Sequence, residues 1–176
     1  DLYGDGLKIY TTLNSKLQTY AENAVKEHLG KELQADFFNS LKKRKGGLFD
    51  WRISKKQGQN ILNQAKYRSG RYKALKAAGA SDDSIKLAFN TPVNMKVFSW
   101  QGLRDTVLTP WDSIKYYKRF LQAGMMSMDP NTGYVKAWVG GIDYRYFNYD
   151  HVRQGKRQVG STFKPIVYSL AIQEGF

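Results

Sequence analysis

No cysteine occurs among the 176 residues. Its absence excludes a disulfide scaffold and any thiolate metal site, and is compatible with an oxidising compartment without requiring one. Only two histidines are present, His28 and His151, too few for a histidine-rich metal centre, and no metal or organic cofactor is implied. No run of eighteen apolar residues and no signal-like N-terminus appear, so no membrane-spanning helix is predicted. Acidic residues are scarce, 15 against 28 lysines and arginines, and the net charge is +13. That excess is local. Between Leu41 and Lys76 twelve cations face one acid, Asp50, while the rest of the chain is near neutral. Such a segment favours an anionic neighbour: nucleic acid, an acidic membrane surface or a phosphate-bearing substrate.

The aromatic content of 14% supports a folded protein, and the length allows a real core in one or two domains. Lys8 to Leu13 is β-branched and aromatic enough to predict a short strand. Asn14 or Ser15 then caps a helix whose apolar face is Leu17, Tyr20, Ala21, Ala24, Val25 and Leu29, with Gly30 as its stop. A second helix is predicted from about Lys31 to Lys43, with Leu33, Phe37, Phe38 and Leu41 on one face. From Ile53 to Phe89 the pattern is helical in patches, anchored by Ile61, Leu62, Ala65, Tyr72, Leu75, Ile85, Leu87 and Phe89, with glycines 58, 70 and 79 as separators.

The four prolines mark boundaries in the second half. Pro92 ends the helical region, and a hairpin is expected on either side of Gln101-Gly102. Thr109-Pro110 opens a helix, with threonine as cap and proline at the first position, and Ile114, Tyr117, Phe120 and Leu121 as its buried face. Met125 to Val139 reads as a hairpin around Asp129-Pro130-Asn131-Thr132-Gly133, with glycine where φ is positive. A tyrosine-rich loop from Ile142 to Val159 leads to a last helix. The overall expectation is an α+β fold.

That last helix opens with Gly160-Ser161-Thr162-Phe163-Lys164-Pro165. On a helix Ser161 and Lys164 share a face. A desolvated lysine can take the proton of a serine hydroxyl, which makes the pair the minimum apparatus for a serine acyl-enzyme, and helix N-terminal amides suit a developing oxyanion. Ile166, Val167, Leu170 and Ala171 have helical spacing, so this helix is expected to be buried. Ser-x-x-Lys alone is a weak signal, and Ser40-Leu41-Lys42-Lys43 is a second match. Ser40, however, has no glycine before it and no buried helix after it. A Ser-His-Asp triad of Ser161, His151 and Asp150 is disfavoured, because neighbours on an extended loop point to opposite sides.

In order along the chain, Asp129 to Gly133, Ala137-Trp138-Val139-Gly140-Gly141 and Arg157-Gln158-Val159-Gly160-Ser161-Thr162-Phe163-Lys164-Pro165 resemble the start of the transpeptidase domain of class A penicillin-binding proteins, the bifunctional peptidoglycan synthases. Thr11-Thr12-Leu13, Leu17-Gln18 and Ala21 to Val25 are similar to the segment that begins this region in the family. The likeness is good over 7–29 and 106–176 and loose over 30–105. It implies an interdomain region, 1–105, with a basic helical insertion at about 31–90 and a hairpin at about 92–109. Residues 106–176 would be the N-terminal portion of a penicillin-binding/β-lactamase-like transpeptidase domain.

The resemblance further implies that Ser161 is the acylated nucleophile and Lys164 its proton acceptor, that stem peptides and β-lactams acylate the same serine, and that the parent protein carries a glycosyltransferase and a membrane anchor at the extracytoplasmic face. The partner motifs Ser-Asp-Asn and Lys-Thr-Gly do not occur in these residues, so the chain is expected to be a fragment that is inactive alone. Tyr149-Asp150-His151-Val152 stands where many relatives have Phe-Asn-Arg-Ala.

For the basic block three readings remain: a solvated face; contact of Lys42, Lys43, Arg44 and Lys45 with anionic headgroups or a lipid-linked precursor; and nucleic-acid binding with Tyr67 and Tyr72 as a stacking surface, which no recognised binding motif accompanies. A protein-docking role for 31–105 is a further possibility.

Overall fold

A computed structural model describes the chain except for residues 1–3, 5, 7, 44–46 and 51. Helix α1 (Ser15–Glu27) starts where Asn14 Oδ1 accepts the N–H groups of Lys16 and Leu17 at 3.0 and 3.1 Å, leaving fewer unsatisfied donors in the first turn. Gly30 does not end the helix. A π-helical stretch, His28–Leu33, carries it into α2 (Gln34–Lys43). The reason is tertiary: a Cβ on Gly30 would lie 2.7 Å from the indole of Trp100. The glycine is therefore where another element presses on the helix, which overrides its tendency to stop one. The wider π turn also rotates the face that follows, and Gln34 comes out 2% exposed.

Helices α3 (Lys55–Arg68), α4 (Gly70–Ala77) and α5 (Asp82–Asn90) follow. Each begins at a serine whose hydroxyl accepts an N–H of the first turn: Ser54, Ser69 and Ser81. Gly70 and Gly79 lie at helix ends, as expected, but Gly58 is buried inside α3, where its missing Cβ makes room for the Phe49 ring. Leu62, Ile85 and Phe89 are buried anchors, whereas Leu87 is 70% exposed on the opposite side of α5 from Ile85 and Phe89.

Strands β1 (Val93–Ser99) and β2 (Gly102–Leu108) form the expected antiparallel hairpin, with Val97 facing Arg104 across the ladder. Helix α6 (Pro110–Tyr117) is capped by the Thr109 hydroxyl, and both α3 and α5 pack on it. Two adjacent tyrosines of α6 hold one strand residue by its backbone: the Tyr116 hydroxyl donates to the Phe98 carbonyl at 2.7 Å, and the Phe98 N–H donates to the Tyr117 oxygen at 3.1 Å. Around Phe98 stand Phe120, Phe147, Tyr146 and Trp100, with ring centroids 5.1–5.8 Å away. This is the favoured separation for aromatic pairs.

The second hairpin, β3 (Met125–Met128) with β4 (Val135–Val139), carries Gly133 at φ +71° and a register shift at Ser127/Met128. Ala21 and Val25 of α1 pack on Ala137 and Val139 of β4. The predicted strand at Lys8–Leu13 does not form. Thr12 Oγ1 donates to the Val135 carbonyl and the Asn14 N–H to that of Lys136, at 2.7 and 2.9 Å, so the segment meets β4 only at its end. Ile9 and Tyr10 are 81% and 90% exposed, and a strand there would have no apolar face to bury.

Gln34 ties the two halves together. Its Nε2 donates to the Arg119 carbonyl at 3.0 Å, while its Oε1 accepts the Leu121 N–H at 2.9 Å and faces the Trp100 indole N–H at 3.5 Å. Gln34→Ala would strand a backbone donor and an acceptor in a buried site. Each unsatisfied buried group costs about 1–3 kcal/mol, so urea denaturation should show a loss of about 3 kcal/mol, and a loss well under 1 would contradict this role.

Candidate active site

Helix α7 (Lys164–Gln173) and the 3₁₀ turn before it (Gly160–Phe163) carry the sequence-predicted pair. The path to them is fixed from β4. The Asp150 carboxylate accepts the Trp138 indole N–H at 2.9 Å through one oxygen, and the N–H groups of Val152 and Arg153, both at 2.9 Å, through the other. The His151 N–H donates to the Gly140 carbonyl at 2.7 Å. Gly140 lacks a Cβ where Asp150 approaches: an added one would be 2.8 Å from Cγ. Gly124 is likewise pressed by Val152. The loop from Ile142 is thereby fastened back onto the β3–β4 hairpin before it runs on to residue 160.

In the turn, Gly160 has φ +50°, the Thr162 N–H and hydroxyl both donate to the Val159 carbonyl, and the Lys164 N–H donates to that of Ser161. Side chains three apart eclipse in a 3₁₀ turn, so Ser161 and Lys164 leave the backbone on one side. No hydrogen bond joins their reactive atoms among the described residues, and both side chains are exposed.

The expectation of a buried helix after the serine is overturned. Ile166, Val167, Tyr168, Leu170 and Ile172 of α7 are 48–74% exposed. The helix is apolar on every side, a pattern that needs cover all round, and its principal contact is only the 3₁₀ turn leading into it. The Lys164 side chain accordingly stands open to solvent.

In the second Ser-x-x-Lys match the Ser40 hydroxyl donates to the Phe37 carbonyl at 2.9 Å and faces no lysine partner in any hydrogen bond among the described residues. The His151–Asp150 alternative also fails on geometry. The Asp150 carboxylate faces Trp138 and backbone amides, and the His151 ring packs edge-on to Tyr149 at 4.8 Å. Hydrogen bonding, first from the Arg153 N–H and then from Trp138 and Val152, holds Asp150 below the usual carboxylate range. Burial, followed by the nearby Arg157 charge, lowers His151. Sequence reasoning missed the structural role of Asp150; its signal was Trp138 in mid-strand, whose indole N–H needs an acceptor when buried.

Lys42 and Lys43 are exposed at the end of α2, and Arg44 and Lys45 lie outside the described residues. Tyr67, 51% exposed, and Tyr72 are partly engaged within the protein. They pack on each other at 5.0 Å, and Lys66 lies over both rings. Among the described residues no group of three or more His, Asp or Glu is placed to hold a metal ion, and no helix is long and apolar enough to cross a membrane.

Residues 44–121 match the family model described as the penicillin-binding protein middle domain. Similar curated relatives include penicillin-binding protein 1A of Pseudomonas aeruginosa, 44% identical over 55 residues, or 31% of this chain and 7% of that protein. Penicillin-binding protein 2D of Bacillus subtilis is 50% identical over 56 residues, 32% of this chain and 8% of the relative. Penicillin-binding protein 1A of Neisseria flavescens is 47% identical over 55 residues, 31% and 7%. The matches support a place in the penicillin-binding protein family. The aligned stretches span less than a tenth of the length of these relatives. No solved structure matches. The family-model match falls on the helices α3 to α5 and the β1–β2 hairpin, where the sequence likeness is loose, and on α6, where it is good, and it stops short of Ser161 and Lys164.

Because Asp150 and His151 are both lowered, the unfolded chain binds more protons than the folded one between the two pKa values of each group, and stability rises with pH there. The contribution of His151 is complete above its ordinary 6.5 and declines as pH falls below it; that of Asp150 is complete above 3.8 and declines in more acid solution. The Tm difference between wild type and His151→Gln should therefore shrink as pH is lowered from about 7.5 to about 5, and that for Asp150→Asn only below about pH 4. Differences independent of pH would contradict the assignment.

Proposed function

We propose that this chain is part of a peptidoglycan D,D-transpeptidase, the interdomain region and the first part of the catalytic domain of a membrane-anchored, bifunctional cell-wall synthase working at the extracytoplasmic face. The boundary is drawn at 105/106. The observation that carries the reading is the 3₁₀ turn closed by the Lys164 N–H on the Ser161 carbonyl, which sets hydroxyl and amine on one side of the chain at the head of a helix. The family matches upstream of it supply the context.

In this mechanism Lys164, taken out of water when α7 is covered, accepts the Ser161 proton. The Ser161 oxygen attacks the penultimate D-alanine carbonyl of a stem peptide, and the terminal D-alanine leaves as an amine that takes up the proton. The acyl-enzyme is then consumed by the amine of a neighbouring stem peptide. A β-lactam places its ring carbonyl at the same point, but its leaving nitrogen stays tethered, so the serine remains acylated. In this chain the pair is uncovered and open to solvent, not in a closed site. The chain alone is accordingly expected to be inactive.

The test is acylation by a fluorescent penicillin of a polypeptide that joins this chain to the Ser-x-Asn and Lys-Thr-Gly motifs. Ser161→Ala should abolish covalent labelling, and Lys164→Ala should slow it by about 10²–10⁴-fold, the usual contribution of a positioned base. Labelling that survives Ser161→Ala would overturn the proposal.

A further inference from the structure

Away from Ser161, a groove of about 600 Å³ opens between α2, the turn of the β1–β2 hairpin and α6. Its floor is aromatic: Phe38, Trp100, Tyr116 and Phe120. Three cations line it, Lys42, Arg104 and Arg119, each exposed, and none is within ion-pair distance of a carboxylate among the described residues. No described aspartate or glutamate lines it. A concave site with charge of one sign concentrates its field in the opening and attracts the opposite sign.

We propose that this groove binds an acidic peptide segment of a partner protein, which inserts an aromatic or aliphatic side chain between Trp100 and Phe120 and sets its carboxylates against Arg104, Arg119 and Lys42. Three features favour such an occupant. The apolar floor gives a free inorganic anion nothing to bury. The concavity suits a side chain better than the plane of a bilayer. Arginine, tyrosine and tryptophan are the residues that dominate peptide and protein recognition, and guanidinium groups pair with carboxylates through two parallel hydrogen bonds. The groove is also pre-formed. Gln34 fixes Trp100, the Arg119 carbonyl and the Leu121 N–H from beneath, so the groove itself needs little ordering when a ligand binds. The site is independent of the acyl-transfer reading.

The test is fluorescence anisotropy on the whole chain with two labelled hexapeptides, Glu-Asp-Trp-Leu-Asp-Glu and Glu-Asp-Ser-Ser-Asp-Glu, and co-sedimentation with phosphatidylglycerol vesicles. The anchored peptide should bind about tenfold or more tighter than the serine version, and about tenfold or more weaker to Arg104→Glu/Arg119→Glu. Lys55→Glu/Lys56→Glu, an equal charge change on α3, should leave it unaltered. Arg104→Gln/Arg119→Gln, with unchanged near-ultraviolet circular dichroism, guards against misfolding and should also weaken it. Equal binding of both peptides, equal loss in both charge-reversed variants, a response confined to vesicles, or no binding at all would each overturn the proposal.

Discussion

Gln18 completes a sheet that is otherwise too small. A two-stranded hairpin is marginal in water, and β3–β4 leaves one edge of β4 open. From α1, the Gln18 side chain takes both backbone groups of Trp138: its Oε1 accepts the N–H at 2.8 Å and its Nε2 donates to the carbonyl at 3.0 Å. An amide side chain thus stands in for one residue of a third strand. Asn14 and Thr12 add two more bonds along the same edge, and the buried Ala21–Val25 face of α1 covers the strand from one side. Edge and face are satisfied by a single helix.

The position of Ser161 follows from that arrangement. With Trp138 held, its indole N–H is offered to Asp150, and Asp150 gathers Val152 and Arg153 into a turn beside Gly140. Gln34 plays the corresponding part for the other hairpin, and Tyr116 and Tyr117 grip Phe98. The molecule is assembled by a few buried or half-buried polar side chains that bind backbone groups of distant segments. Each one removed would leave unpaired partners behind. Past residue 160 no such clamp exists among the described residues, and the apolar side chains of α7 are exposed.

Features governed by short-range chemistry were legible in the sequence. Asn14 and Thr109 cap helices, Pro110 begins one, Gly133 takes a positive φ, and both hairpins form, the first turning at Trp100-Gln101, one residue earlier than Gln101-Gly102. Features decided at a distance were not. Gly30 reads as a stop until Trp100 is seen against it, and Gly58 as a break until Phe49 is. Lys8 to Leu13 has strand-forming residues but nothing to pair with along most of its length. Spacing marked the apolar residues of α7 as a buried face, but burial needs a partner surface that periodicity does not reveal. Of the candidate site, Ser161 and Lys164 were visible as a motif, while the Asp150 and Trp138 contact that leads to them needed the fold.

If α1 supplies the missing edge of β4, the Trp138 amide depends on a side chain rather than a strand. Native-state hydrogen exchange reads this directly. In the wild-type chain that amide should be protected like the paired amides of β4, and Gln18→Ala should speed its exchange by about tenfold or more, the equivalent of losing one hydrogen bond of about 1.5 kcal/mol. A Trp138 amide that exchanges at the rate of an exposed one in the wild type, or that is indifferent to Gln18, would contradict the account.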